Sequence, residues 1–232
     1  MPTGKRTASL ASAITKVNSV AFSPDGITLA DAGTIDRAEV TYGAIELWNL
    51  SNGRKIASIV TGMNANVTSI AISPDGTTLA TCSQISVFDF HYGVIALWSV
   101  QTGALITTFD TGRLISDTVA FSPDGKKLAC GGTRYVSGVS EGGLDLWDIS
   151  TRRLLSSLPM NPIGGSVNAV DFSSDGRVLL AGTSSGLQTF SAADYSLMNT
   201  FTGGGITSIA VSSGSLPIIL LGQAGLQAIS NP

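Results

Sequence analysis

The sequence predicts an all-β fold made of repeated antiparallel sheets, and three observations carry that prediction. A Ser-Pro-Asp-Gly motif occurs at residues 23–26, 73–76 and 122–125, and a related Ser-Ser-Asp-Gly follows at 173–176. Alternating apolar and polar residues precede each motif, which is typical of a half-buried strand. A Leu-Trp pair follows the motif in the first three repeats. Regular spacing of this kind indicates an array of equivalent structural units.

Each repeat is predicted to contain four short strands. The alternating run is the first strand, and the Pro, Asp and Gly of the motif supply the chemistry of a tight reversal into the second. The third strand carries Trp48, Trp98 or Trp147, and a turn such as Asn52-Gly53 leads into the fourth. A unit of four short strands cannot bury both faces alone, so it must pack against a neighbour on each side. That arrangement is a propeller blade.

The order of motifs resembles the WD40-repeat family. The resemblance rests on the run Val-x-Ser-Val-Ala-Phe-Ser-Pro-Asp-Gly-x-x-Leu-Ala and on the later Leu146-Trp147-Asp148. It implies an all-β β-propeller, which we predict to have five four-stranded antiparallel blades in a single domain over residues 1–232. His91 is the only histidine, so the buried His-Ser/Thr-Trp-Asp network usual in that family is expected to be missing. Apolar packing is expected to stabilise the sheets instead.

The two ends of the chain predict how the last blade is completed. A more degenerate fifth unit begins near residue 212 and reaches a third-strand segment at 226–229. Residues 5–10 resemble the fourth-strand segment 54–59. We therefore expect an N-terminal strand over residues 5–10 to pair with 226–229 and close the ring, which removes exposed sheet edges. Closure within one chain and completion by oligomerisation both stay open at this point.

Composition excludes several classes of partner. Only 12% of residues are charged and the net charge is −3, so there is no cluster of Lys and Arg for nucleic acid or an anionic membrane surface. No apolar run approaches the ~20 residues of a spanning helix, so membrane insertion is not expected. Cys82 and Cys130 are offset by one residue relative to the preceding Leu-Ala, which predicts opposite faces of equivalent strands and no disulfide. A cytoplasmic location fits free thiols and the lack of a signal-peptide pattern.

The sequence offers little chemistry for catalysis. His91 has no visible orienting group for a Ser-His-Asp arrangement. Two offset cysteines and a single histidine do not supply a metal site. The Gly203-Gly204-Gly205 run precedes a strand, so it lacks the helix N-terminus of a phosphate-binding loop. We therefore predict that the protein is not an enzyme and uses no cofactor and no metal.

An insertion shared by three repeats supplies the candidate binding residues. Fifteen residues separate Ala30 from Ile45, and the second and third repeats have the same spacing, whereas seven separate Leu180 from Leu187. The insertions are predicted to lengthen the second and third strands into hairpins. Their aromatics either pack hairpin on hairpin or form a ridge for a protein partner, since aromatic residues and Arg dominate interface hot spots. The candidate partner-binding residues are Arg37, Glu39, Tyr42, Phe88, Asp89, Phe90, His91, Tyr92, Arg134 and Tyr135.

A second candidate set lies near the start of each first strand. Five small polar residues share one equivalent position there, and a closed ring would place them around the mouth of the channel, unless they are only solvated strand ends. They are Asn18, Thr68, Asp117, Asn168 and Thr207.

These features favour one function and leave an alternative. The favoured function is a non-catalytic scaffold or adaptor that mediates protein-protein interaction within a larger, multi-subunit assembly. The alternative is a small-ligand or glycan-binding propeller, similar to a lectin, in which Tyr42, Tyr92 and Tyr135 stack on a sugar.

Overall fold

Five antiparallel sheets follow one another along the chain. A computed structural model describes residues 9–88, 90–111, 114–136, 139–160, 165–211, 218–222 and 225–229. The first four sheets have four strands each, and the described residues of the fifth form three. Strands pair in chain order within each sheet, so each sheet is a meander that corresponds to one sequence repeat. The predicted all-β architecture of repeated blades is confirmed.

The strand bounds repeat from blade to blade. Blade 1 contains β1 (Lys16–Phe22), β2 (Thr28–Arg37), β3 (Val40–Asn49) and β4 (Arg54–Met63). Blade 2 contains β5 (Ala65–Ile72), β6 (Thr78–Val87), β7 (Phe90–Ser99) and β8 (Leu105–Asp110). Blade 3 contains β9 (Leu114–Phe121), β10 (Lys127–Val136), β11 (Val139–Asp148) and β12 (Leu154–Pro159). Blade 4 contains β13 (Val167–Phe172), β14 (Val178–Thr183), β15 (Gly186–Ser191) and β16 (Leu197–Thr202), and blade 5 contains β17 (Ile206–Ala210), β18 (Ile218–Gly222) and β19 (Gly225–Ile229).

The Ser-Pro-Asp-Gly motif forms the predicted reversal between the first two strands. In blade 1 the Gly26 N–H donates to the Ser23 carbonyl at 2.8 Å, and Gly26 has a φ of 70° that suits a residue without Cβ. The Ser23 hydroxyl donates to the Asp25 carboxylate at 2.5 Å, and the Ile27 N–H donates to the same carboxylate at 2.9 Å. These bonds favour the charged form and hold the pKa of the Asp25 carboxyl below its ordinary value. The same arrangement recurs in blades 2, 3 and 4.

The core lies between the blades. We call the face that a blade turns to the preceding blade its leading face, and the face turned to the next blade its trailing face. Between blades 1 and 2, trailing-face residues such as Ile45 and Leu47 pack against leading-face residues such as Val67, Leu79 and Trp98. Equivalent apolar clusters join blade 2 to 3, blade 3 to 4 and blade 4 to 5. Each blade is therefore stabilised mainly by its neighbours.

The tryptophans occupy one buried slot on the leading faces. Trp48, Trp98 and Trp147 are buried, and Phe190 fills the same slot of blade 4. The predicted burial of the tryptophans is confirmed. The expectation that apolar packing alone replaces the missing histidine network needs correction, because polar partners remain. The indole N–H donates to the Asp31 carboxylate at 2.7 Å in blade 1 and to the Thr81 hydroxyl at 3.1 Å in blade 2.

The space beside the tryptophan is filled differently in successive blades. In blade 1 the buried Glu46 forms an ion pair with Lys55. In blade 3 the Asp145 carboxylate accepts from the Arg134 guanidinium at 2.6 Å. Blade 2 has Ala96 at the equivalent place, and a cavity of about 100 Å³ lies there beside Trp98. The blades are thus equivalent in backbone but not in the polarity of their interiors.

The two cysteines lie on opposite faces of their own blades, as predicted. Cys82 is on the trailing face of blade 2 and Cys130 is on the leading face of blade 3, so the two thiols meet in the same apolar cluster. Both are free and buried. Burial, and then the neighbouring Cys82 thiol, raise the pKa of the Cys130 thiol well above its ordinary value. Strand alternation predicted the two faces correctly but does not show that these faces are in contact.

The predicted ring closure is not confirmed. Residues 5–8 of the proposed closing strand lie outside the described residues, and residues 9–14 contain no strand. The leading face of blade 1 leaves Val20 and Phe22 exposed. The closing strand therefore stays a prediction. None of the described residues forms a helix long and apolar enough to cross a membrane.

Candidate functional site

The insertions lengthen the blades into three hairpins, as predicted. Hairpin 1 is the tip of β2 and β3 (residues 34–43), hairpin 2 is the tip of β6 and β7 (84–93), and hairpin 3 is the tip of β10 and β11 (133–142). In hairpin 1 the pairing continues to Arg37 opposite Val40, and in hairpin 2 it continues to Val87 opposite Phe90. In blade 4 the pairing ends at Thr183 opposite Gly186. All three hairpins therefore project from one end of the blades.

The tips of the first two hairpins hold a strained backbone. Ala38 and Glu39 form the tip of hairpin 1 with φ values of 47° and 67°, and Phe88 in hairpin 2 has a φ of 52°. A two-residue hairpin with left-handed φ normally uses Asn and Gly, which tolerate that conformation. Residues with a larger side chain at such positions cost about 1–2 kcal/mol each, and strain of this kind concentrates at functional sites.

The exposed residues of the three hairpins form a surface of separate apolar side chains among polar and charged ones. We call this surface the hairpin rim. Phe88 is 96% exposed, the largest exposed fraction among the exposed large apolar side chains of the described chain. Tyr92, Tyr135 and Val139 are each about half exposed. The other exposed residues of the described hairpins, most of them polar or charged, are Asp36, Arg37, Ala38, Glu39, Thr41, Ser86, Val87 and His91. Asp89 lies outside the described residues, as does the side chain of Phe90.

Two predicted binding residues are only partly exposed. Tyr42 is only partly exposed and lies opposite Met63 of β4. Arg134 lies on the leading face of blade 3, where its guanidinium binds the buried Asp145 carboxylate. The Ser157 hydroxyl donates to the same carboxylate oxygen at 2.6 Å. Arg134 therefore has a structural partner and is not part of the hairpin rim.

The strand register places the three tyrosines of the glycan-binding alternative on two different faces of the hairpins. Tyr42 lies opposite Ile35, and Tyr92 lies opposite Ile85 at the equivalent position of the next hairpin. Tyr135 is paired with Ser140, one register position away. Since side chains alternate between faces along a strand, Tyr135 is on the other face of its hairpin. The three tyrosines do not form one stacking platform.

Asn64 links hairpin 1 to hairpin 2 and was not found by sequence reasoning. It lies in the connection between β4 and β5 and has a φ of 52°. Its N–H donates to the Thr41 carbonyl at 2.8 Å, and its carbonyl accepts from the Ser86 N–H at 3.0 Å. The two hairpins are thus joined through one backbone residue. The available signal was the identity of Asn64, because Asn tolerates positive φ better than most residues.

Side-chain hydrogen bonds orient the polar residues of the hairpins. The Asp36 carboxylate accepts from the Thr41 hydroxyl at 2.8 Å and from the Thr15 hydroxyl at 3.1 Å. The Ser86 hydroxyl lies 2.8 Å from His91 Nδ1. Within the described ranges no group of three or more His, Cys, Asp or Glu residues is placed to hold a metal ion.

The five polar residues of the predicted channel mouth share one backbone position, and several of them bond to a neighbouring blade. Each one is the residue skipped by the register shift at the start of its strand pair, which is a β-bulge. The Asn18 amide donates to the Val67 carbonyl of the next blade at 2.9 Å. The Thr68 hydroxyl donates to the Ser116 carbonyl at 3.2 Å, and the Asn168 amide to the Ile206 carbonyl at 3.1 Å. Asn18, Thr68 and Asn168 therefore join the inner strands of neighbouring blades.

Asp117 differs from the other bulge residues because an ionised carboxylate cannot donate a hydrogen bond. Burial raises the pKa of the Asp117 carboxyl above its ordinary value, and a hydrogen bond from Gln84 Nε2 opposes that shift. In blade 5, Thr207 occupies the bulge position.

Comparison with known proteins agrees with this blade structure. Two segments, residues 54–99 and 153–187, match the family model described as WD domain, G-beta repeat. Each match begins where the fourth strand of one blade begins and ends in the third strand of the next blade. No curated protein shows significant similarity to the chain. The matches confirm the resemblance carried by the sequence motifs, and the chain carries WD40 repeats.

Proposed function

We propose that the protein is a non-catalytic adaptor that binds a protein partner through the hairpin rim. WD40 repeats generally serve as scaffolds for protein-protein interaction, and proteins that carry them are typically not enzymes. The proposal goes further by assigning the contact to one surface. Its main support is Phe88, an aromatic side chain that is 96% exposed at a strained turn.

An aromatic side chain left in water forgoes the favourable free energy of burial. A phenylalanine that packed against a neighbouring hairpin would be largely covered, and Phe88 is not. Val87 and Tyr92 of the same hairpin are about 40% exposed, so hairpin 2 presents three apolar side chains together. Aromatic anchors surrounded by polar residues are the usual centre of a protein interface. Arg37, Glu39 and His91 supply the polar surroundings here.

We further propose where the adaptor works and how blade 5 is completed. The adaptor works within a larger assembly in the cytoplasm, and the two buried thiols at the interface of blades 2 and 3, which form no disulfide, suit a reducing compartment. Residues 5–10 supply the fourth strand of blade 5. This is supported by residues 12–14, which lie on the leading face of blade 1 at the place where other blades receive the connection from a preceding fourth strand.

The test compares two aromatic surfaces of the same chain. Partner proteins are captured from a lysate of the source cells with the wild type, with Phe88→Ala combined with Tyr92→Ala, and with Phe201→Ala as a control. Phe201 is an exposed phenylalanine on β16 and lies outside the hairpins. We expect the double variant to lose the captured proteins, since hot-spot truncation costs about 2–4 kcal/mol, while its melting temperature stays within a few degrees.

The captured proteins and the melting temperature of the double variant are compared with those of the wild type and of Phe201→Ala. Retention of the same proteins by the double variant would contradict the proposal. A double variant that melts much earlier than Phe201→Ala would show that hairpin 2 contributes to stability, as in the packing interpretation.

A further inference from the structure

One residue of the third strand, the second before the tryptophan, sets the polarity of each blade interior. This residue is Glu46 in blade 1, Ala96 in blade 2 and Asp145 in blade 3. The residues opposite it on the fourth strands all carry a hydroxyl group and are Ser58, Thr108 and Ser157. Of these three blades, blade 2 alone has an apolar residue at a place that its neighbours fill with a carboxylate.

In blades 1 and 3 the carboxylate has partners within its own blade. The Glu46 carboxylate accepts from Lys55 Nζ. The Asp145 carboxylate accepts from the Arg134 guanidinium and from the Ser157 hydroxyl, at 2.6 Å each. A buried charge is tolerated only when it has such partners. Side chains of the chain itself therefore fill these two interiors.

Blade 2 has apolar residues at the positions of the cations as well. Leu105 takes the position of Lys55, because each lies opposite the tryptophan of its blade. Ile85 takes the position of Arg134 in the register of the second and third strands. The place that side chains fill in the neighbouring blades is here a cavity of about 100 Å³. It lies on the leading face of blade 2, against residues 61 and 65 of the chain that leads in from blade 1.

The lining of this cavity favours an uncharged, mostly apolar ligand. Most of the described residues that line it are apolar, among them Ile85, Ala96 and Trp98, and none of those described lining residues is charged. A charged group placed there would lose its hydration without gaining an opposite charge. Apolar walls with a few polar groups are typical of sites for small molecules.

Two threonine hydroxyls on the wall differ in what they offer a ligand. The Thr81 hydroxyl accepts from the Trp98 indole N–H at 3.1 Å and donates to the Ala96 carbonyl at 3.4 Å. The Thr61 hydroxyl oxygen is buried and has no hydrogen-bond partner among the described residues. Such a group is unfavourable, because it has given up its hydrogen bonds to water. A ligand with one hydroxyl or carbonyl group would replace the missing bond.

The cavity can be reached from the outer strand of blade 2. Leu105 and Thr108 line it on β8, and both are exposed. A small molecule can therefore enter without separating blades 1 and 2. Since a dry cavity of about 150 Å³ accepts a benzene ring, one of about 100 Å³ suits a molecule of about five non-hydrogen atoms.

We propose that this cavity binds a small uncharged organic molecule with an apolar body and one hydroxyl or carbonyl group. The body lies against Ala96 and Trp98, and the polar group bonds to the Thr61 hydroxyl. Short-chain alcohols and ketones have this chemistry. Among the first three blades the site is specific to blade 2, since an ion pair fills the same place in blades 1 and 3. The proposal does not rest on the hairpin rim.

The experiment uses isobutanol as the probe. Isobutylamine is the matched ligand control, because it has the same carbon skeleton and is positively charged at neutral pH. Binding is followed by NMR of protein that contains isotope-labelled tryptophan, in which each indole N–H gives its own signal. Trp98→Phe identifies the signal of Trp98 by removing it.

Three variants locate the site. Ala96→Leu fills the cavity, and Thr61→Val removes the hydroxyl but keeps the shape of the side chain. Thr107→Val is the matched control, because Thr107 pairs with Leu97 on the other face of the blade. In each variant the other two indole signals show that the protein is folded when they stay at their wild-type positions.

Isobutanol should shift the Trp98 signal of the wild type and of Thr107→Val to saturation, whereas isobutylamine should not. Ala96→Leu should abolish the shift, and Thr61→Val should weaken binding about two- to tenfold, as expected for one hydrogen bond. Three results would overturn the proposal: no saturable shift in the wild type, unchanged binding by folded Ala96→Leu, or equal affinity of Thr61→Val and Thr107→Val.

Discussion

The base of the β6–β7 pair and hairpin 2 at its tip belong to the same two strands but differ in burial and in backbone strain. At the base, Leu79, Ile95 and Trp98 are buried between blades. At the tip, Phe88 and Tyr92 are exposed, and the backbone of Phe88 is strained. The base is buried because neighbouring blades cover it, and the tip extends beyond their reach. A rigid base therefore carries an exposed tip whose side chains contribute little to folding.

The largest effect is expected at the base. Trp98→Ala should lower the free energy of unfolding by about 3–5 kcal/mol, since it empties a core aromatic site. The substitution enlarges the existing cavity beside Trp98 and leaves the Thr81 hydroxyl without its indole donor. Urea unfolding measures the change, with Phe201→Ala as the exposed aromatic control. A loss for Trp98→Ala no larger than that of the control would abolish the distinction between base and tip.

A smaller, pH-dependent effect is expected from Asp171, which lies on the trailing side of blade 4. Burial raises the pKa of its carboxyl from 3.8 to about 6, although the Phe172 N–H donates to it at 2.8 Å. The folded state therefore binds the proton more tightly than the unfolded state between these two values. The contribution of Asp171 to the free energy of unfolding is largest below about pH 4 and falls as the pH rises to about 6. Above about pH 6 it changes no further, and the total change is about 3 kcal/mol.

Asp171→Asn tests this dependence directly. The variant has no titrating group at the site, so it should be more stable than the wild type at pH 7, and the difference should shrink towards pH 4. Urea unfolding of both proteins at several pH values measures the difference in the free energy of unfolding. The contributions of the other carboxyl groups are the same in both proteins and cancel. A difference that is constant with pH would contradict the assignment.

The smallest effect is expected at the tip of hairpin 1. Ala38→Asn combined with Glu39→Gly replaces two strained residues with the pair that a two-residue turn favours, and should raise the free energy of unfolding by about 1 kcal/mol. The gain is smaller than the summed strain because Asn relieves only part of it and Gly adds conformational entropy to the unfolded state. Thermal unfolding measures the gain. Reduced capture of partners by this more stable variant would place the tip of hairpin 1 in the interface. A loss of stability would mean that the positive φ values at the tip are not a source of strain.

Much of the blade could be predicted because its signals are local. The Ser-Pro-Asp-Gly turn closes through bonds among Ser23, Asp25 and Gly26, so four residues determine it. The buried slot of Trp48, Trp98 and Trp147 follows from their position in the alternating pattern of the third strand. The hairpins follow from an insertion that continues the same alternation.

The remaining features depend on contacts between strands or blades and on local backbone conformation, which alternation along one strand does not report. Asn18 was placed correctly at the start of its strand, but its partner, the Val67 carbonyl, belongs to the next blade. Arg134 was grouped with the binding residues because it lies on a hairpin, whereas its side chain binds Asp145 on the paired strand. Positive φ at Ala38 and Glu39 could not be inferred either, since neither residue type favours it.

The offset between the family match and the blade has a consequence for how such a chain can grow. Residues 54–99 supply the outer strand of blade 1 and the first three strands of blade 2. A gene duplication of that length would insert one outer strand and three paired strands, which is not a complete four-stranded blade. The new copy would have to share strands with the sheets on both sides, so lengthening the gene would interlock each added unit with its neighbours from the start.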